Sequence, residues 1–287
     1  MSLNTLIIGG GPAGLTAACF SAGPTLLIDR LKTPARKLLA TGGGRCNLTH
    51  ATNAEGIMAA FGRQARFMSP ALHVFPPDAI RDFFHELGVE TRVEPDGCVF
   101  PASQKAADVA QALEGAARAK GAEIRCGVRA TRLRTEPEDG ETASAWRVSA
   151  VETSQGLICA RHVILAAGGQ SYPLLGSDGS GFELARSAGL KVVQPVPALA
   201  GLITEDIWPK SLAGIVLENG GIRLDIKGVA KRLLVGPVLF THKGLSGPPA
   251  LDLSGEISAL LASGLCLPSS GLRPPAIPIR LSFIASR

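Results

Sequence analysis

Three glycines and one acid near the N-terminus have the types and spacing to bind a dinucleotide. Gly9-x-Gly11-x-x-Gly14 follows the apolar run Thr5-Leu6-Ile7-Ile8 and precedes Leu15 to Phe20, which reads as a buried helix. In that setting the first glycine permits a tight turn, the second lets backbone approach a pyrophosphate, and the third lets helix pack on strand. The helix N-terminus adds N–H groups and a partial positive charge for the phosphates. Asp29 ends a second apolar run, Thr25 to Ile28, and lies 20 positions after Gly9. An acid there accepts hydrogen bonds from a ribose diol. A phosphate loop of the Walker type is excluded, because Leu15 stands where it needs lysine.

Three further segments carry candidate groups. Thr41-Gly42-Gly43-Gly44-Arg45-Cys46-Asn47 has few side-chain obstacles, so it can lie against a planar ring or wrap an anion. Within it, Arg45 can pair with a phosphate or a substrate carboxylate. Asn47 can fix a ring edge or the loop itself, and Cys46 is either a reactive thiol or buried filler. Ile164 to Gly169 is an apolar run entering a glycine pair at Gly168 and Gly169, which lets the chain pass close to a ligand. Phe240 to Pro248 sets His242, Lys243 and Ser246 between glycines, and His242 is either an acid–base group or structural. No Ser/His/Asp order and no G-x-S-x-G elbow is present.

The elements that must position these groups follow from periodicity. Residues 5–8, a helix, and 25–29 form a βαβ unit. Ile80, Phe83, Phe84 and Leu87 fall at helical spacing and predict a helix over 77–88, stopped by Gly88. A second helix is predicted over 103–120, strands over 123–134 and 146–153 with a turn at 136–144, a buried strand from His162, and a helix over 181–188. After about Lys191 the character changes to short β-like runs at 199–203, 214–218, 222–226 and 232–239. Residues 265–287 contain four prolines and no acid. No internal repeat is present.

Composition narrows the classes. The chain has 287 residues, 46% hydrophobic and 18% charged, which suffices for a full core and excludes disorder as the main state. Aromatic residues are 5%, with a single tyrosine, and the net charge of +5 is scattered without a basic stripe. A nucleic-acid partner is therefore not expected. Residues 1–28 carry no charge, but seven glycines and prolines break the stretch and no basic start precedes it. Neither a signal peptide nor a membrane anchor is expected. The six cysteines include no C-x-x-C pair, and the five histidines never cluster, so no metal site is expected. Dispersed thiols fit a cytoplasmic protein.

The motifs GGGPAGL, RKLLATGGGRCNLTH, FPPDAIRDFFHELGVETRVEPDGCVFPASQKAADV, VILAAGGQSYPLLGSDGSGFELARSAGL and VGPVLFTHKGLSGPPALDLS occur in this order. Together they resemble the HI0933-like (BaiN/YhiN-type) family of bacterial NAD(P)/FAD-dependent oxidoreductases, over roughly residues 3–255. GGGRCN and FTHKGLSGP are the specific parts of the likeness. The resemblance implies an α/β fold: a Rossmann-type FAD-binding domain over 1–192, part of an inserted β-rich, barrel-like domain over 193–255, and an atypical Pro-containing tail over 256–287. It implies FAD, with Gly9, Gly11, Pro12, Ala13, Gly14, Asp29 and Arg30 around the ADP half. Lys37 and Thr41 to Asn47 then lie along the cofactor, Val128 meets the adenine, and Ala167, Gly168 and Gly169 close the far side. A reduced nicotinamide would donate hydride, and a small organic substrate or oxygen would accept it. Similar chains run on past this point and return to the first domain, so a C-terminally shortened member is expected. The alternative is a non-catalytic remnant with weak or no nucleotide binding.

Overall fold

The computed structural model describes residues 2–61, 65–137, 146–226, 232–263 and 277–283. Most of the expected 136–144 turn and of the proline-containing tail, including Cys266, lies outside the described residues. The chain divides into two compact units, Met1–Val192 and Val193–Arg287.

In the first unit the order is β1 (Thr5–Ile8), α1 (Pro12–Phe20), β2 (Thr25–Asp29), α2 (Arg36–Ala40), β3 (Thr49–His50), α3 (Ala54–Phe61), α4 (Ala65–Val74), α5 (Pro77–Glu86), β4 (Thr91–Val93), β5 (Cys98–Pro101), α6 (Ala106–Ala119), β6 (Ala122–Cys126), β7 (Ala130–Pro137), β8 (Trp146–Thr153), β9 (Gly156–Cys159), β10 (His162–Leu165) and α7 (Ser180–Ser187). The central sheet is parallel throughout, in the order β10-β1-β2-β6. Its inner strands are apolar on both faces, as a sheet covered on both sides requires. Ile7 and Leu27 point to one face and pack with Leu15, Ala18, Val109 and Leu113 of α1 and α6. Leu6, Ile8, Leu26 and Ile28 point to the other and pack with Val128, Leu133, Val151 and Leu184. Leu133 and Val151 come from the antiparallel sheet β7-β8-β9, Leu184 from α7 and Val128 from the β6–β7 connection, giving three layers: helices, parallel sheet, antiparallel sheet. A small sheet, β3-β5-β4, stands beside them.

This is the Rossmann-type α/β architecture expected. One predicted strand, 123–134, is two: Gly127, at φ +76°, turns the chain out of the parallel sheet between β6 and β7.

The second unit runs β11 (Leu202–Ile203), α8 (Trp208–Ser211), β12 (Val216–Leu224), β13 (Leu234–Thr241), β14 (Gly244–Ser246), α9 (Pro248–Ala262) and β15 (Ile279–Ser282). Its five strands form one antiparallel sheet, β11-β14-β13-β12-β15. Ile222, Leu224, Val238 and Phe240 pack under Ala250 and Leu253 of α9. The two runs predicted at 214–218 and 222–226 are one strand, because the register shift between Leu217 and Gly220 absorbs the Asn219-Gly220-Gly221 break as an irregularity instead of a turn. No helix among the described residues is long and apolar enough to cross a membrane.

Candidate functional site

The glycine loop sits where β1 ends and α1 begins, at the carboxyl edge of the parallel sheet, the place where open α/β sheets bind ligands. Gly9 has φ +114°, and a Cβ there would overlap the Ala166 carbonyl oxygen. A Cβ at Gly14 would overlap the Gly9 carbonyl oxygen. Both positions are closed by backbone. Gly11 differs: its φ is −75°, and nothing lies within 4 Å of where its Cβ would stand. No side chain caps α1, and its first internal bond runs from the Leu15 N–H to the Gly11 carbonyl at 3.0 Å. The first-turn donors thus face the open side of Gly11.

Asp29 stands at the end of β2, and both of its oxygens are engaged. Oδ2 accepts the Gly10 N–H at 2.6 Å and Oδ1 accepts the Leu31 N–H at 2.7 Å. A carboxylate offers about four acceptor directions, so capacity for a ligand hydroxyl remains.

A cavity of about 610 Å³ opens from this loop. Of the predicted residues, Gly9, Gly11, Pro12, Ala13, Asp29, Lys37, Thr41, Cys46, Asn47, Ala167 and Gly168 line it. Arg30 and Val128 line a small neighbouring cavity of about 40 Å³ that shares Gly9, Asp29 and Ala167. Gly14 serves packing. Gly42, Gly43, Gly44, Arg45 and Gly169 are not in the cavity wall. Arg45 turns instead to Glu94 at 2.8 Å and Gln104 at 3.1 Å. Another groove of about 630 Å³, along α6 beside Glu90 and Asp108, contains none of the predicted residues.

The far wall of the first cavity is built by residues that carry no dinucleotide signal of their own. It consists of Phe75, Ile80, Phe83, Phe84, Val109 and Leu113. Phe83 is the hub, with ring centroids 5.5 Å from Phe20, 5.8 Å from Phe75 and 5.4 Å from Phe84. The helical spacing of Ile80, Phe83 and Phe84 signals a buried face, but it does not distinguish a face against protein from a face against a cavity.

The residues after β10 form the remaining side. Gly168, Leu175, Gly176 and Ser177 line the cavity. Lys37 Nζ reaches the Ser171 hydroxyl at 3.3 Å and lies 5.5 Å from the centre of the Tyr172 ring. Arg30 Nη2 donates to the Pro173 carbonyl and pairs with Asp178, each at 3.2 Å. Both cations therefore tie this segment to the β2–α2 connection.

Cys46 is buried, lines the cavity and holds φ +64°, a left-handed conformation rare for a side chain. Burial pushes its thiol pKa up, against a smaller lowering by the Thr41 contact, so the thiol is protonated at neutral pH. The five described cysteines are free. In the second unit, the Thr241 hydroxyl accepts the Lys243 and Gly244 N–H groups, making a hairpin turn between β13 and β14 with His242 and Lys243 exposed.

Residues 3–240 match the sequence model of the HI0933-like protein Rossmann domain. A 3-dehydro-bile acid delta(4,6)-reductase of Clostridium scindens is 32% identical over 275 residues, covering 90% of this chain and 61% of the relative. A ribosomal RNA dihydrouridine synthase of Escherichia coli is 30% identical over 261 residues, covering 88% of this chain and 60% of the relative. Among solved structures, Thermovibrio ammonificans THI4 covers 92% of this chain and 90% of its own at 16% identity, with a TM-score of 0.45. The chain thus spans about 60% of the length of the curated relatives it matches. With its family match running through the whole first unit and into the second, the chain belongs to the HI0933-like family.

Proposed function

We propose that this chain binds FAD and belongs to a flavin-dependent oxidoreductase. One observation carries the reading: Gly9 and Gly14 are closed by backbone, while Gly11 is open toward the 610 Å³ cavity at the bare N-terminus of α1. That is the room a pyrophosphate needs. Gly11, Pro12 and Ala13 would lie along the phosphates, with Asp29 at the ribose and Arg30 and Val128 at the adenine. Thr41, Cys46, Asn47, Ala167 and Gly168 would line the path toward the ring, with Gly42 to Arg45 and Gly169 supporting those turns. Lys37 holds the 171–172 turn over the site, and the Phe75, Phe83 and Phe84 wall excludes water. Bound there, FAD would supply two-electron redox chemistry, for which a reduced nicotinamide is the proposed donor and a small organic substrate or oxygen the proposed acceptor. A reducing compartment, the cytoplasm, suits the free thiols.

The test is the visible spectrum of the purified chain before and after adding FAD. A flavin spectrum that survives desalting is expected. A colourless protein that takes up none would overturn the reading.

A base in RNA is a second reading of the acceptor. The match to a ribosomal RNA dihydrouridine synthase favours it. Salt-dependent retention of ribosomal RNA by the chain would support it over a free small molecule.

A further inference from the structure

We propose that Arg45 is a positioning residue: with Glu94 it straps the Thr41–Asn47 loop onto β5, so that Thr41, Cys46 and Asn47 face the cavity. Its consequence for the ligand rests on the FAD reading above; the strap itself does not.

The guanidinium is engaged on three sides. Nη1 donates to Glu94 Oε1 at 2.8 Å and to Gln104 Oε1 at 3.1 Å, and Nε donates to the Gly42 carbonyl at 3.2 Å. Its Cζ lies over the Phe100 ring, 4.1 Å from the ring centre. The partners are themselves fixed. Glu94, only 18% exposed, also takes Arg92 at 3.1 Å. Gln104 holds φ +58° and donates from Nε2 to the Pro101 carbonyl at 3.1 Å. The loop fits the ring closely, since a Cβ at Gly42 would come within 2.9 Å of Phe100 Cε1. Cys46 N–H donates back to the Thr41 carbonyl at 3.0 Å, and Leu48 N–H donates to the Val99 carbonyl at 2.8 Å, closing the turn onto β5.

The need for a strap follows from the composition of the loop. Three successive glycines at φ +56°, +66° and +89° lose more conformational freedom on ordering than any other residues, and of the three only Gly42 packs closely, against Phe100. A planar fork that bonds three partners and stacks on a ring supplies the missing constraint. A loop ordered in advance binds a ligand without that ordering cost. Arg45, a natural phosphate partner by type, is instead turned away from the cavity that its neighbours line.

Amide hydrogen exchange on the whole chain without added flavin tests the strap, using Arg45→Gln, Glu94→Gln and the double variant. Either single change should speed exchange at Cys46 and Leu48 on the order of fivefold, and the double should go no further, because both remove one coupled unit. Unchanged exchange in the singles, or effects that add, would overturn the proposal. FAD titration supplies the second arm. A strap predicts that Glu94→Gln weakens FAD as much as Arg45→Gln does. A phosphate-binding Arg45 predicts a large loss for Arg45→Gln alone and equal or tighter binding for Glu94→Gln, whose guanidinium is released. If the parent chain takes up no FAD, the proposed function fails while the exchange result still decides the strap.

Discussion

The molecule has two glycine-rich loops facing one cavity, and they use glycine for opposite reasons. In the first, Gly9 and Gly14 are glycines because backbone oxygens occupy the space of a Cβ, while Gly11, in ordinary extended geometry, leaves that space empty. In the second, Gly42, Gly43 and Gly44 are glycines because their backbone is left-handed, and only Gly42 is crowded. The first loop is held by close backbone packing and by the bonds of Gly10 to Asp29 and Ala35. The second is held from outside, by Arg45 and its partners.

Substitutions sharpen this contrast. Gly14→Ala drives a methyl into the Gly9 carbonyl and should cost about 3 kcal/mol or more in denaturant unfolding. Gly42→Ala meets both the Phe100 ring and a disfavoured φ, and about 2 kcal/mol is expected. Gly43→Ala meets only the left-handed conformation, with nothing within 4 Å, so about 1 kcal/mol should be lost. Equal losses at Gly42 and Gly43 would remove Phe100 from the account of the loop.

Cys46 adds a pH dependence to the second loop. Because burial raises its folded-state pKa, its contribution to stability is complete below the ordinary thiol range and is lost as pH rises from that range through the higher folded-state value. Unfolding midpoints of Cys46→Ala should fall less than those of the parent chain above about pH 9. Equal alkaline losses would show the thiol to be solvated. The smallest expected effect on stability is Gly11→Val, within about 1 kcal/mol, since the cost at a helix cap is partly offset by a less flexible unfolded chain. That same variant should lose FAD entirely by absorbance after desalting. Retained stoichiometric flavin would sink the assignment of the first loop.

Both loops are legible in the sequence, but the role of Arg45 in the second is not, for a physical reason. Thr5 to Asp29 reads correctly because every signal there is local: apolar runs buried on both faces, glycines, a proline at the first turn of α1, and a terminal acid. The helix at 77–86 is legible from Ile80, Phe83 and Phe84, but its cavity-facing role depends on Val109 and Leu113 of α6, further along the chain. The same limit applies to Arg45. Its type suggests an anion partner, and nothing near it in sequence shows that Glu94 and Gln104, 49 and 59 positions away, claim the guanidinium. The helix at 65–74 contains Pro70, a residue that argues against helix from sequence alone.

Asp29 joins two turns through one carboxylate, and the Ala35 N–H bond to the Gly10 carbonyl at 2.8 Å ties them a second time. The turn that opens α1 and the turn that opens α2 are thereby a single mechanical part. A shift in one would be carried into the other, and through Lys37 of α2 to Ser171.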